Sequence, residues 1–257
     1  MILYKYVPPE RIDVLRGGLI AFSPPWLFND PFEAKPVFPS DAPEAIALFE
    51  EYRPERATLT KEEESALQAR IDAIQQAHGA RRIMLEQAAR SVGVLSLSEK
   101  RDCALMWAHY TAQHTGFVIG FDTAHPAWVE SGRLNGAPGE PTKVNYSADR
   151  PTPATMTDVT PDHIWYIKSK EWTYEHEWRV TRWIGRAAKT VKNPAGDDVP
   201  LHEFPREAVR EVILGQRADS VLEGDILQLV TKRPYRDVTV LRAELDRRAF
   251  KFNIVPR

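Results

Sequence analysis

Short runs of strand character are scattered along this chain among helical segments without a repeating strand–helix–strand interval. That irregularity limits its fold more than any other feature. Residues 3–6, 19–22, 92–98, 117–121, 143–146, 175–184, 209–215 and 238–241 carry the large or β-branched side chains of strands. Residues 9–15, 41–53, 60–90, 102–113 and 218–232 read as helices. A doubly wound parallel sheet would need regular alternation of the two. The expectation is therefore an α+β chain with mixed or antiparallel central sheets and flanking helices. It spans 1–257 as one domain with a helical insertion at about 41–90. The strands at 3–6, 93–98, 117–121, 176–184 and 209–214 are expected in one core sheet system.

Local signals sharpen this outline. Pro9 opens the first helix and Gly17-Gly18 closes it. Thr60 and Glu63 form a capping box ahead of Leu67, Ile71, Ile74, Ile83 and Leu85, a helix that packs by one face, with Gly79 a candidate break. Ser23-Pro24-Pro25-Trp26-Leu27-Phe28-Asn29-Asp30-Pro31-Phe32-Glu33 cannot be regular structure, because its three prolines remove donors and disfavour α backbone before them. Its Trp26, Phe28 and Phe32 are expected to dock on the body and form a binding wall.

Bulk properties exclude several classes. A formal net charge of -2 and a pI near 6.4 give no global field toward nucleic acid or membrane. With Cys103 the only cysteine, internal disulfides and thiolate zinc clusters are ruled out, and a small buried hydrophobe is the expectation. The opening residues lack the apolar core of a signal peptide, and no apolar run approaches a membrane span, so the expected location is cytoplasmic with no membrane partner. The Walker, dinucleotide-binding and nucleophile-elbow glycine patterns are absent, and no H-E-x-x-H metal motif occurs. No metal is expected.

Two clusters remain as candidate chemistry. The first is Leu95-Ser96-Leu97-Ser98, Met106-Trp107-Ala108-His109-Tyr110 and the run from Gly116, a strand–helix–strand unit unusually rich in polar side chains. His109 and Tyr110 diverge by about 100° on a helix, so they cannot point the same way. The second is Lys168-Ser169-Lys170-Glu171-Trp172-Thr173-Tyr174-Glu175-His176-Glu177-Trp178-Arg179. Strand alternation there puts Glu175, Glu177 and Arg179 on one face. Two carboxylates so placed repel unless they are solvated, paired with Arg179, or used to anchor a hydroxyl or stabilise a cation. Trp26, Asn29, His109, Tyr110 and Glu177 are expected to line one concavity.

Several of these blocks, in order, resemble the bacterial domain-of-unknown-function 2971 family. They include Leu3-Tyr4-Lys5-Tyr6, Phe28-Asn29-Asp30-Pro31-Phe32-Glu33, Leu95-Ser96-Leu97-Ser98, Met106-Trp107-Ala108-His109-Tyr110 and Glu175-x-Glu177-Trp178-Arg179. More distantly, Ser96-x-Ser98 and Glu175-x-Glu177, preceded by the Tyr4-Lys5-Tyr6 strand, resemble the ADP-ribosyltransferase superfamily. The first strand here lacks that superfamily's Arg or His. The resemblance implies an ADP-ribosyltransferase-like fold that binds NAD as substrate and cleaves its nicotinamide–ribose bond, in bacterial stress or phage defence. It implies Glu177 as the carboxylate that stabilises the ribosyl cation and Glu175 as the group orienting the acceptor, with His109 and Tyr110 beside them. Tyr4, Lys5, Tyr6, Trp26, Asn29, Ser96 and Ser98 would contact NAD. The acceptor is an unidentified macromolecule or small molecule, nucleic acid entering only in that role. The rival expectation is a non-catalytic ligand-sensing or protein-interaction module. A nuclease is disfavoured because Asp30, Glu33 and Glu177 form no paired-magnesium motif.

Overall fold

The computed structural model describes residues 1–35, 47, 50–51, 59–126, 128 and 140–257; most of the expected 41–53 helix lies outside them. The first half of the chain forms β1 (Ile2–Val7), α1 (Asp13–Gly17), β2 (Leu19–Ala21), α2 (Lys61–Arg90), β3 (Val92–Ser98), α3 (Ala104–Tyr110) and β4 (Phe117–Asp122). Next come β5 (Thr142–Lys143), β6 (Asn145–Ser147), α4 (Pro161–Trp165), β7 (Ile167–Ser169) and β8 (Glu177–Trp183). The chain finishes with β9 (Lys189–Lys192), β10 (Asp198–Glu203), β11 (Val209–Leu214), α5 (Ser220–Val230), β12 (Thr239–Leu245) and β13 (Phe252–Pro256).

Eight strands build one mixed sheet in the order β13-β12-β11-β4-β1-β3-β8-β5. All neighbours are antiparallel except β11 and β12, which run parallel because α5 carries the chain back between them. The five strands expected in one sheet system are its contiguous centre. Both faces are covered, which explains why the central strands read as nearly continuous apolar runs. On one face Leu3, Val7, Leu95, Leu97, Phe117, Ile119 and Phe121 pack with Val14 and Leu15 of α1 and Leu222 and Ile226 of α5. On the other, Tyr4, Tyr6, Val118 and Ile213 pack with Met106 and Trp107 of α3 and with Phe252 of β13.

Helix α2 starts on the expected capping box: the Glu63 amide donates to Thr60 Oγ1 at 3.2 Å, and the Thr60 amide donates to Glu63 Oε2 at 2.8 Å. It runs through Gly79 without a break. Leu67 and Ile71 bury one face with Leu59 and Ile74, and Leu85 packs on Met156, Val159 and Ile164. Among the described residues no helix is long and apolar enough to cross a membrane.

Three departures from expectation bear on the site. Helix α3 stops at Tyr110 rather than 113, because Ala112, Gln113 and His114 all take left-handed backbone, with φ of 48°, 58° and 70°. The expected strand over 143–146 divides at Val144 into β5, which pairs with β8, and β6, which pairs with β7. Residues Lys170–Glu175 are a 3-10 helix, so the strand expected from 175 begins at Glu177 after a left-handed His176 (φ 44°). Strands β7, β9, β10 and β13 had no sequence expectation.

The proline-rich loop is fastened to the sheet where Ser23 and Val94 exchange backbone hydrogen bonds of 2.8 and 2.9 Å. Close approach is possible there because Gly93 has no side chain: a Cβ on Gly93 would sit 2.6 Å from the Phe22 carbonyl oxygen. Gly93→Ala is therefore expected to force the loop away and to cost about 1–3 kcal/mol, the usual range for overpacking. A urea midpoint lowered at unchanged slope would show it, and an unchanged midpoint would contradict it.

Candidate active site

The site opens at a seam in the sheet. β1 pairs with β4 at six positions but with β3 at one, Tyr4 opposite Ser98. Where β1 and β3 diverge, a cleft of about 220 Å³ is lined by Tyr4, Lys5, Tyr6, Ser96 and Leu97 from these strands. Leu27, Phe28, Asn29, Asp30 and Glu33 of the proline-rich loop cover it, and Met106 and Tyr110 of α3 close another side. Lys168, Trp172, Glu175 and Glu177 complete the wall.

Register explains which side chains converge. In the β3–β8 pair Ser98 lies opposite Glu177 and Ser96 opposite Arg179, so all four share one sheet face. That face is buried: Glu177 is 2 % exposed, Arg179 0 % and Glu175 3 %. Of the readings open from sequence, a solvated glutamate–arginine face is excluded. The charges are instead tied into a buried network. Arg179 clamps Glu177 with Nε to Oε1 at 2.8 Å and Nη2 to Oε2 at 3.0 Å, and pairs with Glu33 from the loop. Its Nη1 donates to the Trp165 carbonyl at 2.5 Å. Lys168 Nζ donates to Glu175 Oε2 at 2.7 Å and Glu177 Oε2 at 3.0 Å, with Glu33 at 3.5 Å. Tyr110 donates its hydroxyl to Glu175 Oε1 at 2.5 Å.

These contacts set the electrostatics. Burial raises the pKa of Glu177, opposed by Lys168 and the Ser96 hydroxyl. Burial also works against the Lys168 ammonium, but Glu177 and Glu175 outweigh it and hold its pKa above the ordinary lysine value. The Arg179 guanidinium is pulled down to about 9 by burial, against the favourable charge of Asp30. Burial lifts the Tyr110 phenol as well, and Glu175 adds to it, so Tyr110 stays a protonated donor.

Lys5 sits at the seam, where its Nζ donates to the Ser96 carbonyl at 3.1 Å. Loss of hydration brings its pKa down from 10.5 to about 8, despite Glu177 and Glu175 nearby. In the unfolded chain it titrates near 10.5, so the penalty for burying its charge is fully present below about pH 8 and fades as pH rises toward 10.5. Lys5→Met is accordingly expected to gain stability over the wild type at pH 7 and to lose most of that advantage by pH 10. Urea titrations of both proteins across this range check it, and a difference that does not change with pH would contradict it.

The structure brings Tyr4, Lys5, Tyr6, Asn29, Ser96, Tyr110, Glu175 and Glu177 to one cleft. It does not bring all the expected residues there. His109 is exposed and lies outside the lining, beside Tyr174 at 6.5 Å between ring centroids, which corrects its expected place in the concavity. The helical divergence from Tyr110 aims it outward. Trp26 and Phe32 are 54 % and 63 % exposed, so of the three loop aromatics only Phe28 docks, with the Arg179 guanidinium 5.3 Å from its ring centre. Ser98 is fully buried and braces the site rather than facing a ligand. Its hydroxyl donates to the Glu175 carbonyl at 2.5 Å and accepts from the Lys100 amide at 2.9 Å. Sequence reasoning missed Lys168, Glu33 and Tyr146, whose hydroxyl accepts from the Glu177 amide at 2.8 Å. Among the described residues no group of three or more His, Cys, Asp or Glu is arranged to hold a metal ion.

Residues 106–180 match the model of a family described as Protein of unknown function (DUF2971). The match supports the resemblance stated from sequence. It runs from within α3 into β8 and so takes in Tyr110, Lys168, Glu175, Glu177 and Arg179. No curated protein and no solved structure matches the chain.

Proposed function

We propose that this cleft binds NAD and breaks its nicotinamide–ribose bond, passing the ADP-ribosyl group to water or to an acceptor, on a scaffold akin to that of the ADP-ribosyltransferases. The observation that carries this reading is the convergence of Glu175 and Glu177 on a cleft whose aromatic and hydroxyl-bearing walls come from the first two central strands. Breaking the bond sends its electron pair to the nicotinamide nitrogen and leaves oxocarbenium character on ribose C1′. A carboxylate bonded to a ribose hydroxyl stabilises that charge more in the transition state than in the ground state. Water or the acceptor then bonds to C1′ and releases a proton.

Hydrogen-bond capacity favours exchanging the roles that the resemblance implies for the two glutamates. An ionised carboxylate accepts at about four lone-pair positions. Glu177 already takes two bonds from Arg179 and one from Lys168, with the Ser96 hydroxyl as a further partner. Among the described residues Glu175 takes those from Tyr110 and Lys168 alone, so its carboxylate has room for a ribose hydroxyl. Glu175 is thus the catalytic carboxylate in this reading, and Glu177 holds Lys168 and Arg179 in place. Incubation of the protein with NAD, followed by assay of free nicotinamide, tests it. Release above a protein-free control is expected; no release, together with no NAD-dependent rise in melting temperature, would contradict it.

A further inference from the structure

The loop over the cleft contains a carboxylate with one buried oxygen that no described residue hydrogen-bonds. Asp30 is 5 % exposed; its Oδ1 accepts from the Phe32 amide at 2.9 Å, whereas its buried Oδ2 has no hydrogen-bond partner among the described residues. Buried carboxylate oxygens are nearly always paired, so an orphan one in a cleft wall marks a place where a ligand completes the electrostatics. The charge count agrees. Asp30, Glu33, Glu175 and Glu177 stand against Lys5, Lys168 and Arg179, four negative groups to three positive. Lys35 and Arg150, in an adjoining cavity that Asp30 also borders, are exposed and donate to the Pro31 and Lys35 carbonyls. Solvent screens them from the cleft. The aromatic walls suit positive charge too: Lys168 Nζ lies 4.9 Å from the Trp172 ring centre, and Phe28 faces Arg179.

We infer that the cleft selects a ligand carrying a positively charged planar ring, and that Asp30 is the residue that determines this preference. Its charge, met only at a distance by Arg179, acts across a poorly hydrated wall, where Coulomb forces are weakly screened. The inference rests on the NAD reading and sharpens it, because the oxidised nicotinamide ring is a cation whereas the reduced ring is neutral and of nearly the same shape.

Carbocyclic NAD and its reduced form, neither of which can be cleaved at the ribose position, are suitable probes for calorimetric titration. The wild type should bind the oxidised form at least about ten-fold more tightly, the effect of one partly screened charge. In Asp30→Asn, which retains an oxygen for the Phe32 amide, the two affinities should come within about two-fold of each other. Equal affinities in the wild type would overturn the inference and leave the NAD reading standing, and this comparison does not depend on how the variant folds. A preference undiminished in a folded Asp30→Asn would overturn the assignment to Asp30. Binding of neither form would overturn both readings.

Discussion

Arg179→Met is expected to destabilise the protein by about 3–5 kcal/mol, the penalty for removing one partner of a buried ion pair. The methionine fills most of the volume but leaves Glu33 and Glu177 without the guanidinium that serves both. Lys168 is then the one cation of the network still paired directly with Glu175 and Glu177, with Lys5 nearby. For a chain of this size the loss corresponds to a fall in melting temperature of about 6–20 °C. The double variant Arg179→Met, Glu177→Gln should recover part of it, because the second change removes the stranded charge. A coupling of about 1–3 kcal/mol between the two sites is expected from direct contact. Additive losses would show that the two residues are not coupled, and a single variant as stable as the wild type would show that the network does not bear on stability.

The same network explains how far the sequence could be read. The five central strands were legible because burial on both faces leaves compact apolar or large side-chain runs, as in Phe117–Phe121 and Val212–Leu214. β9 and β10 were not: Lys189–Lys192 is mostly exposed with little apolar character, and Asp198–Glu203, although it buries Pro200, Leu201 and His202, carries a proline and polar residues that break a strand pattern. β13 contributes a single buried side chain, Phe252, too little to mark a strand. At the site, Glu175 and Glu177 stood out because two carboxylates so close together need a reason. Their partners did not. Glu33 lies in a proline-rich loop and Lys168 on a three-residue strand, and only folding brings them to the same carboxylates. The signals available were Glu33 at the end of Asn-Asp-Pro-Phe-Glu and Lys168 at the head of the second polar cluster; neither residue type announces burial.

That difference in partners also decides which glutamate variant reports on chemistry. Glu177→Gln turns an amide donor toward Arg179 and Lys168, so lost activity in that variant mixes damage to the fold with damage to the reaction. Glu175→Gln keeps an oxygen for Lys168 or for the Tyr110 hydroxyl and leaves the Glu177–Arg179 clamp untouched. It is expected to retain a folded core and most NAD affinity. Its turnover should fall by about 10²–10³, the loss associated with one transition-state electrostatic contact.

The most direct measurement is therefore the rate of nicotinamide release from NAD by purified wild type and Glu175→Gln, at saturating NAD and with thermal melting of both proteins in parallel. The account predicts release by the wild type and a loss of about 10²–10³ in the variant at comparable NAD binding. Release at the same rate by a folded Glu175→Gln would contradict the assignment, and no release by a wild type that does not bind NAD would contradict the proposed function.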